Sequence, residues 1–132
     1  MPEIERRQSP RLKLVGAHVI YKWINGRYSL KKLCDITKIS ARFEVDHEME
    51  IGDMLELVII VPKNEHIHLK GAIIRLSDPA SKEPPYVVVK FLPVGREKRT
   101  NSIGSYQQLN KLIDSYLLSE KLAAKIPVTW RS

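Results

Sequence analysis

The sequence is poor in the features that mark secreted and membrane proteins. Only one cysteine, Cys34, stands among 132 residues, so no internal disulfide can form and a reducing compartment is indicated. The longest strongly apolar run, residues 55–62, is interrupted by Glu56 and is far too short to cross a bilayer. Charged residues occupy the N-terminus, where the apolar core of a signal peptide would lie. We therefore expect a cytoplasmic protein that does not insert into membranes.

Sets of residues for metal binding or catalysis are also missing. His66 and His68 share one face of a predicted strand, but no second pair of ligands at zinc spacing accompanies them. Carboxylates are scattered through turns, and no nucleophile, base and orienting group can be placed together. Cys34 falls inside an apolar strand pattern, which favours a buried packing role. The sequence predicts neither an enzyme nor a metalloprotein.

Basic charge is the feature that is present in excess. The chain has 22 Lys and Arg against 15 Asp and Glu, a net charge of +7 and a pI near 9.6, which favours anionic partners. Arg6, Arg7 and Arg11 all precede the first predicted strand. Pro10 fixes its own φ and removes a backbone donor, so this segment should be an extended arm or an ordered turn rather than a helix.

Arginine in such an arm suits one kind of ligand. A guanidinium group binds phosphate oxygens or the Hoogsteen edge of guanine with two parallel hydrogen bonds, and it also stacks on a base. The arm thus indicates an anionic purine ligand. The alternative is that the basic N-terminus is an ordinary solvated tail.

Alternating apolar and polar residues predict a series of short strands, with turn sequences such as Asn25-Gly26 between them. The predicted strands are residues 15–23, 28–36, 41–45, 55–61, 67–76 and 86–91. Because no helical pattern separates them, we expect a six- to seven-stranded antiparallel barrel or sandwich. Gly71 should mark a bulge or a close approach of two backbones. Apolar spacing becomes helical over about 102–122, with Asn101 or Ser102 as the N-cap.

The arginine arm, the polar turn around Asp35 and the terminal helix together resemble the PilZ domain family, over about residues 5–118. The family's Arg-x-x-x-Arg motif stands here as Arg7-Gln8-Ser9-Pro10-Arg11, with Arg6 as an additional arginine. The second motif, Asp/Asn-x-Ser-x-x-Gly, corresponds to residues 35–40. In this stretch Thr37 replaces the serine and Ser40 replaces the glycine.

The resemblance implies a mainly β protein, with an N-terminal arginine-rich arm (1–13), a PilZ-like β-barrel with a C-terminal helix (14–122) and a C-terminal tail (123–132). It implies a bacterial, cytoplasmic receptor for cyclic di-GMP, which relays the messenger to a partner protein in motility, adhesion or exopolysaccharide control. Such a protein is not an enzyme and uses no cofactor besides this ligand.

The resemblance also assigns a ligand site. Arg6, Arg7 and Arg11 would bind the phosphates and guanine bases. Asp35 would accept a hydrogen bond from guanine or hold an arginine of the arm, and the Thr37 hydroxyl would meet a phosphate oxygen. At Ser40, a Cβ resists the positive φ or the close approach to ligand that glycine would allow.

Two other hypotheses stay open. The degenerate second motif also fits a PilZ-like protein that does not bind nucleotide and acts through protein contacts, with the predicted helix 102–122 as the candidate interface. A basic barrel that binds single-stranded nucleic acid is disfavoured, because Trp23, Phe43 and Phe91 fall on apolar faces rather than forming an exposed ladder. The sequence leaves the downstream partner, the ligand stoichiometry and a homodimer undecided.

Overall fold

The computed structural model describes residues 11–14, 16–22, 27–45, 49–62, 65–97 and 99–125. Along these residues the elements are β1 (His18–Lys22), β2 (Tyr28–Ile36), β3 (Ser40–Glu44), β4 (Met54–Val61), β5 (Glu65–Leu76), β6 (Tyr86–Phe91) and α1 (Ile103–Lys125). All strand pairs are antiparallel. They close a barrel in the order β1-β2-β3-β6-β5-β4. The predicted mainly β barrel with a C-terminal helix is confirmed, with six strands in the described part.

The alternation of the sequence becomes the inside and outside of the barrel. Successive side chains of a strand point to opposite faces, so the apolar member of each pair fills the interior. Phe43, Ile59 and Val87 are completely buried, and the Tyr21 and Phe43 rings lie 5.3 Å apart. Each buried aliphatic or aromatic side chain contributes roughly 1.5–3 kcal/mol of hydrophobic stabilisation. This interior is the core that fixes the barrel.

The helix joins the same core along one apolar stripe. Leu109 and Ile113 are completely buried, and Leu112, Tyr116 and Leu117 pack partly buried against the core. The spacing of these residues is that of one helical face. The helix therefore packs on the barrel.

Two neighbouring polar residues place the start of α1. Ser102 is the N-cap, since its Oγ accepts a hydrogen bond of 3.1 Å from the Ser105 amide. Asn101 instead holds the preceding segment on the barrel. Its side chain accepts from the Lys70 amide (2.6 Å) and donates to the carbonyls of Lys70 (2.9 Å) and Leu92 (3.0 Å). The helix then runs to Lys125, three residues past its predicted end.

Gly71 confirms the predicted close approach of two backbones. A Cβ at this position would lie 2.8 Å from the Lys90 carbonyl oxygen and would also collide with the Val89 side chain. The bulge in this strand pair lies elsewhere, between Ile73 and Arg75. Gly71 is therefore required by space and not by a bulge.

Several boundaries differ from the sequence-based expectation. The first strand begins at His18 rather than at residue 15, and the fifth begins at Glu65 rather than at residue 67. Cys34 is only partly buried, because the pairing of β2 with β3 shifts register between Leu33 and Asp35. The expectations for Trp23 and for the Asn25-Gly26 turn fall outside the described residues.

The predicted placement of His66 and His68 on one face of a strand is confirmed. His66 and His68 are both exposed, on one face of β5. Within the described residues, no group of three metal-binding side chains comes together. No described helix is long and apolar enough to cross a membrane.

Candidate functional site

The second predicted motif forms the tight corner between β2 and β3. Asp35 and Ile36 still belong to β2, so the turn itself is shorter than expected and comprises residues 37–39. The Thr37 amide donates to the Ser40 carbonyl at 2.8 Å. The Thr37 hydroxyl accepts from the amides of Ile39 and Ser40, both at 3.0 Å. A hydroxyl that binds amides two and three residues ahead is a local turn motif.

This turn uses the hydroxyl that was predicted to meet a phosphate. Thr37 is only 6% exposed, and its Oγ1 also lies 3.1 Å from the Ser40 hydroxyl. With two amides donating to it and a hydroxyl bonded to it, the Thr37 oxygen is satisfied inside the turn. The neighbouring Ser40 hydroxyl belongs to a residue that is only partly buried.

Ser40 itself is accommodated without strain. It is the first residue of β3 and pairs with Lys90 on β6, and extended backbone suits any residue with a Cβ. The turn therefore closes without a glycine at this position.

A partly buried ion pair stands beside the turn. The Arg42 Nη2 lies 2.8 Å from the Asp35 Oδ2, where the Asp35 side chain is 9% and the Arg42 side chain 32% exposed. The Arg42 guanidinium also lies over the Tyr86 ring, 5.1 Å from its centroid. Such a position combines charge pairing with cation–π attraction. Arg42 is thus held between a carboxylate on one side and an aromatic ring on the other.

The sequence-based reasoning missed Arg42. The sequence did indicate where the Arg42 side chain lies. Arg42 alternates with the apolar residues Ala41 and Phe43, so its side chain points outward, on the same face as Ser40. What the sequence did not show was its partner. The Arg42 Nε is buried and makes no hydrogen bond to a described residue, which leaves one donor of the guanidinium unused.

The end of the arginine arm is fastened to this corner. Leu12 is buried and exchanges two backbone hydrogen bonds with Ile36, both of 2.9 Å. The pairing is antiparallel, so Arg11 lies on the side of Thr37. Arg11 is exposed at this point. Arg6 and Arg7 lie outside the described residues.

Further basic side chains surround the corner. Lys90, which is exposed, faces Ser40 across the β3–β6 pair. Lys38 in the turn forms an ion pair of 2.8 Å with Asp114 of α1, and both side chains are substantially exposed. Four basic residues, Arg11, Lys38, Arg42 and Lys90, therefore lie here with three acidic ones, Asp35, Glu44 and Asp114. The excess of one positive charge favours an anion over a cation.

Cys34 lies next to this corner but is poorly suited to react. Burial is the main cause that raises the pKa of its thiol, and the neighbouring Arg42 charge opposes this only in part. The thiolate is the reactive form of cysteine. Cys34 is therefore mostly a neutral thiol near neutral pH.

Comparison with known proteins identifies the fold. No family model and no curated protein sequence matches this chain. Solved structures do match. The PilZ domain of YcgR from Escherichia coli with c-di-GMP is 17% identical, with a TM-score of 0.66 over 92% of this chain and 99% of that chain. The chain has the fold of a PilZ domain.

Two further structures with this PilZ fold come from longer proteins. The K. pneumonia MrkH–c-di-GMP complex is 15% identical with a TM-score of 0.69, over 89% of this chain and 55% of that chain. The Bacillus subtilis inhibitor of motility, MotI/DgrA, is 17% identical with a TM-score of 0.64, over 86% and 52%. The present chain thus spans about half the length of MrkH and MotI/DgrA.

Within this PilZ fold, the structure brings four of the six predicted site residues to one corner. Arg11, Asp35, Thr37 and Ser40 lie where the end of the arm meets the β2–β3 turn. Arg42, which was not predicted, completes the corner through its ion pair with Asp35.

Proposed function

We propose that this PilZ-fold domain is a receptor for cyclic di-GMP and relays the level of this messenger to a partner protein. The observation that carries the proposal is the pair of hydrogen bonds between Leu12 and Ile36. These bonds hold the end of the arm against β2, so that Arg11 extends from the barrel beside the β2–β3 turn. Two structures of the same fold, YcgR and MrkH, contain c-di-GMP, which supports this ligand.

The chemistry of the corner suits the ligand. Cyclic di-GMP carries two phosphodiester charges, two guanine Hoogsteen edges and flat purine faces. Arginine satisfies all three through charge, paired hydrogen bonds and stacking. We assign Arg11 and Arg7 to the phosphates and guanines, with Arg6 as a further contact.

The described contacts refine the proposed tasks of the second motif. Asp35 positions Arg42, since its carboxylate is buried and already bound to that guanidinium. Thr37 shapes the turn, because its hydroxyl is bonded within it. The Ser40 hydroxyl remains as a donor for a ligand oxygen. The Arg42 Nε is buried and would reach a ligand only if the Arg42 side chain moved.

The rest of the proposal follows from this ligand. A receptor of a bacterial messenger works in the cytoplasm, where the messenger is made, and binding alone requires neither a cofactor nor catalysis. MotI/DgrA is named as an inhibitor of motility, so a partner in the control of motility, adhesion or exopolysaccharide fits a domain of this fold.

Isothermal titration calorimetry with cyclic di-GMP tests the proposal. Arg11→Ala and Arg7→Ala should each weaken binding by at least about thirtyfold, because losing one partner of a charge-assisted contact typically costs about 2–5 kcal/mol. Arg99→Ala is the matched control, since Arg99 is an exposed arginine in the segment before α1 and is not among the proposed ligand residues. Equal affinities of wild type and Arg11→Ala would refute the assignment.

One observation supports the alternative, a PilZ-like protein that binds no nucleotide and acts through protein contacts. The hydroxyl of the second motif is satisfied inside the turn, and Ser40 adds a side chain where the family motif has glycine. Amide spectra that stay unchanged in excess cyclic di-GMP would select this alternative. Shifts at Arg11, Asp35 and Ser40 would exclude it.

A further inference from the structure

An open groove lies at the end of the barrel away from α1. The helix packs at the other end, where Gln108 donates to the His66 carbonyl near the start of β5 and Asp114 pairs with Lys38 in the β2–β3 turn. The groove instead adjoins the ends of β3 and β5 and the loop between β5 and β6, and has a volume of about 480 Å³. We call it the β5–β6 loop groove. Its lining includes Val45, Met49, Leu76, Asp78, Glu83 and Tyr86.

The wall of the groove is a loop that local hydrogen bonds hold in shape. The Ser77 amide donates to the Tyr86 carbonyl, and the Tyr86 amide donates to the Ser77 hydroxyl, both at 3.0 Å. Between them, the Ser81 amide donates to the Asp78 carbonyl at 3.0 Å, and the Glu83 amide donates to the Ser81 hydroxyl at 3.2 Å. A wall that is already formed lowers the entropy cost of binding a partner.

The floor of the groove is apolar. Val45, Met49 and Val87 are buried at its base, and Leu76 is 37% exposed beside them. Methionine adapts its shape to irregular surfaces more readily than branched side chains do. The floor can therefore bury an aliphatic chain against Leu76.

The charge of the groove is opposite to that of the chain as a whole. Asp78 and Glu83 line it and are exposed, whereas no lysine, arginine or histidine is found among the described lining residues. Arg75 and Lys82 belong to the adjoining chain but do not line the groove. The whole chain carries a net charge of +7. A cationic occupant complements these two carboxylates.

The groove is also adjacent to the Asp35–Arg42 corner, because Tyr86 belongs to both. Its ring lies below the Arg42 guanidinium, 5.1 Å away, and the same residue lines the groove. An occupant of the groove would thus lie one residue away from the proposed ligand site.

We propose that the β5–β6 loop groove docks an extended, basic segment of a partner protein. The aliphatic parts of its lysine or arginine side chains pack on Leu76 and the floor, while their charged ends meet Asp78 and Glu83 at the rim. Nucleic acids and anionic bilayers are disfavoured, since their phosphates would face the two carboxylates. The competing occupant is the basic N-terminus of a second copy of this chain, and sedimentation distinguishes it below.

Only the assignment of this partner as the downstream one rests on the proposed function. Docking is measured without cyclic di-GMP, so that its failure and the failure of the receptor assignment can be told apart. Random dodecapeptides displayed on phage are selected on the full chain, and the selected peptides are titrated by fluorescence anisotropy.

The variants are chosen at exposed positions so that the fold is kept. Glu83→Lys reverses a charge of the rim, and Leu76→Ser alters the floor. Glu97→Lys is the control for the first, since Glu97 is exposed in the segment before α1 and does not line the groove. Ile74→Ser is the control for the second, since Ile74 is 49% exposed in the same strand and also lies outside the groove.

We expect the selected peptides to be basic and to contain apolar residues. Glu83→Lys should weaken their binding by about tenfold or more, with a loss that shrinks at high salt, and Leu76→Ser should weaken it by about fivefold. The two control variants should bind as wild type does. Amide shifts on adding peptide should map to Ser77, Asp78 and Tyr86.

Several results would overturn the proposal. Acidic selected peptides would do so, because they would reflect only the net charge of the chain. Binding that is unchanged in both groove variants would do so too, as would peptides that keep their affinity when serine replaces their apolar residues. If Glu83→Lys abolishes self-association of the chain in sedimentation velocity, the occupant is a second copy and not a partner protein.

Discussion

Replacing Arg42 by alanine should destabilise the barrel mainly because the buried Asp35 carboxylate loses its ion-pair partner. Asp35 is 6% exposed, and the Arg42 guanidinium is its ion-pair partner at 2.8 Å. A buried carboxylate that loses its partner retains its desolvation cost without the compensating attraction. The effect therefore depends on Asp35 being present.

The geometry bounds the size of this effect. Two unit charges 2.8 Å apart attract by about 1.5 kcal/mol in water and by about 6 kcal/mol at an effective dielectric constant of 20, which is an upper bound. One third of the Arg42 side chain is exposed, so solvent screens the pair. We expect a coupling of about 2 kcal/mol between Asp35 and Arg42. The loss in Arg42→Ala also includes about 0.5–1 kcal/mol from the contact of Arg42 with Tyr86.

A double-mutant cycle measures this coupling. Arg42→Ala should lose about 3 kcal/mol of unfolding free energy, Asp35→Asn about 2 kcal/mol, and the double variant about 3 kcal/mol rather than the sum. Urea denaturation followed by far-ultraviolet circular dichroism provides the four values. Losses that add to within about 0.5 kcal/mol would refute the argument that Arg42 and Asp35 stabilise the fold as a pair.

Three further perturbations follow from the fold. Gly71→Ala should cost about 1–3 kcal/mol, because the new Cβ meets the Lys90 carbonyl and the Val89 side chain; thermal melts measure the loss. Asn101→Ala should cost about 2–4 kcal/mol, because it leaves the backbone groups of Lys70 without their side-chain partners; urea denaturation measures it. Cys34 should react with a disulfide reagent at pH 8 more slowly than an unstructured thiol, since burial raises its pKa and lowers its thiolate fraction.

Each of these has its own control. Gly52→Ala tests backbone strain alone, because Gly52 has a φ of +96° and no atom within 4 Å of a new Cβ; it should cost less than Gly71→Ala. Ser102→Ala removes the helix cap and should cost about 1 kcal/mol, so an equal cost for Asn101→Ala would contradict a bridging role. For Cys34, the urea-unfolded chain should react at the ordinary rate. A native rate equal to it would mean that burial does not protect the thiol.

Much of the barrel could be predicted because the pattern is local. A residue in a strand faces inward or outward according to its position along that strand, so alternation alone identifies Phe43, Ile59 and Val87 as core. The 3.6-residue period likewise identifies Leu109 and Ile113 as the buried face of the helix. Turn residues and the N-cap Ser102 depend only on their immediate neighbours.

The residue pairs that build the candidate site could not be predicted from hydrophobic periodicity. Periodicity states which face a residue occupies but not which residue of another strand lies beside it. That depends on the register of β2 with β3, and a bulge between Leu33 and Asp35 shifts it. The shift sets Asp35 opposite Arg42 and leaves Cys34 half-buried, so neither outcome could be read from alternation.

The amino-acid order was therefore enough for the strands, the terminal helix and the motifs of the corner, since each arises from neighbours a few residues apart. Three contacts depended on the tertiary structure: the Leu12–Ile36 bonds that anchor the arm, the Asp35–Arg42 pair, and the Asn101 bridge to Lys70. They join residues that lie 24, 7 and 31 positions apart. Such contacts form only after the pairing of segments has set the register, because burial rather than local preference selects it.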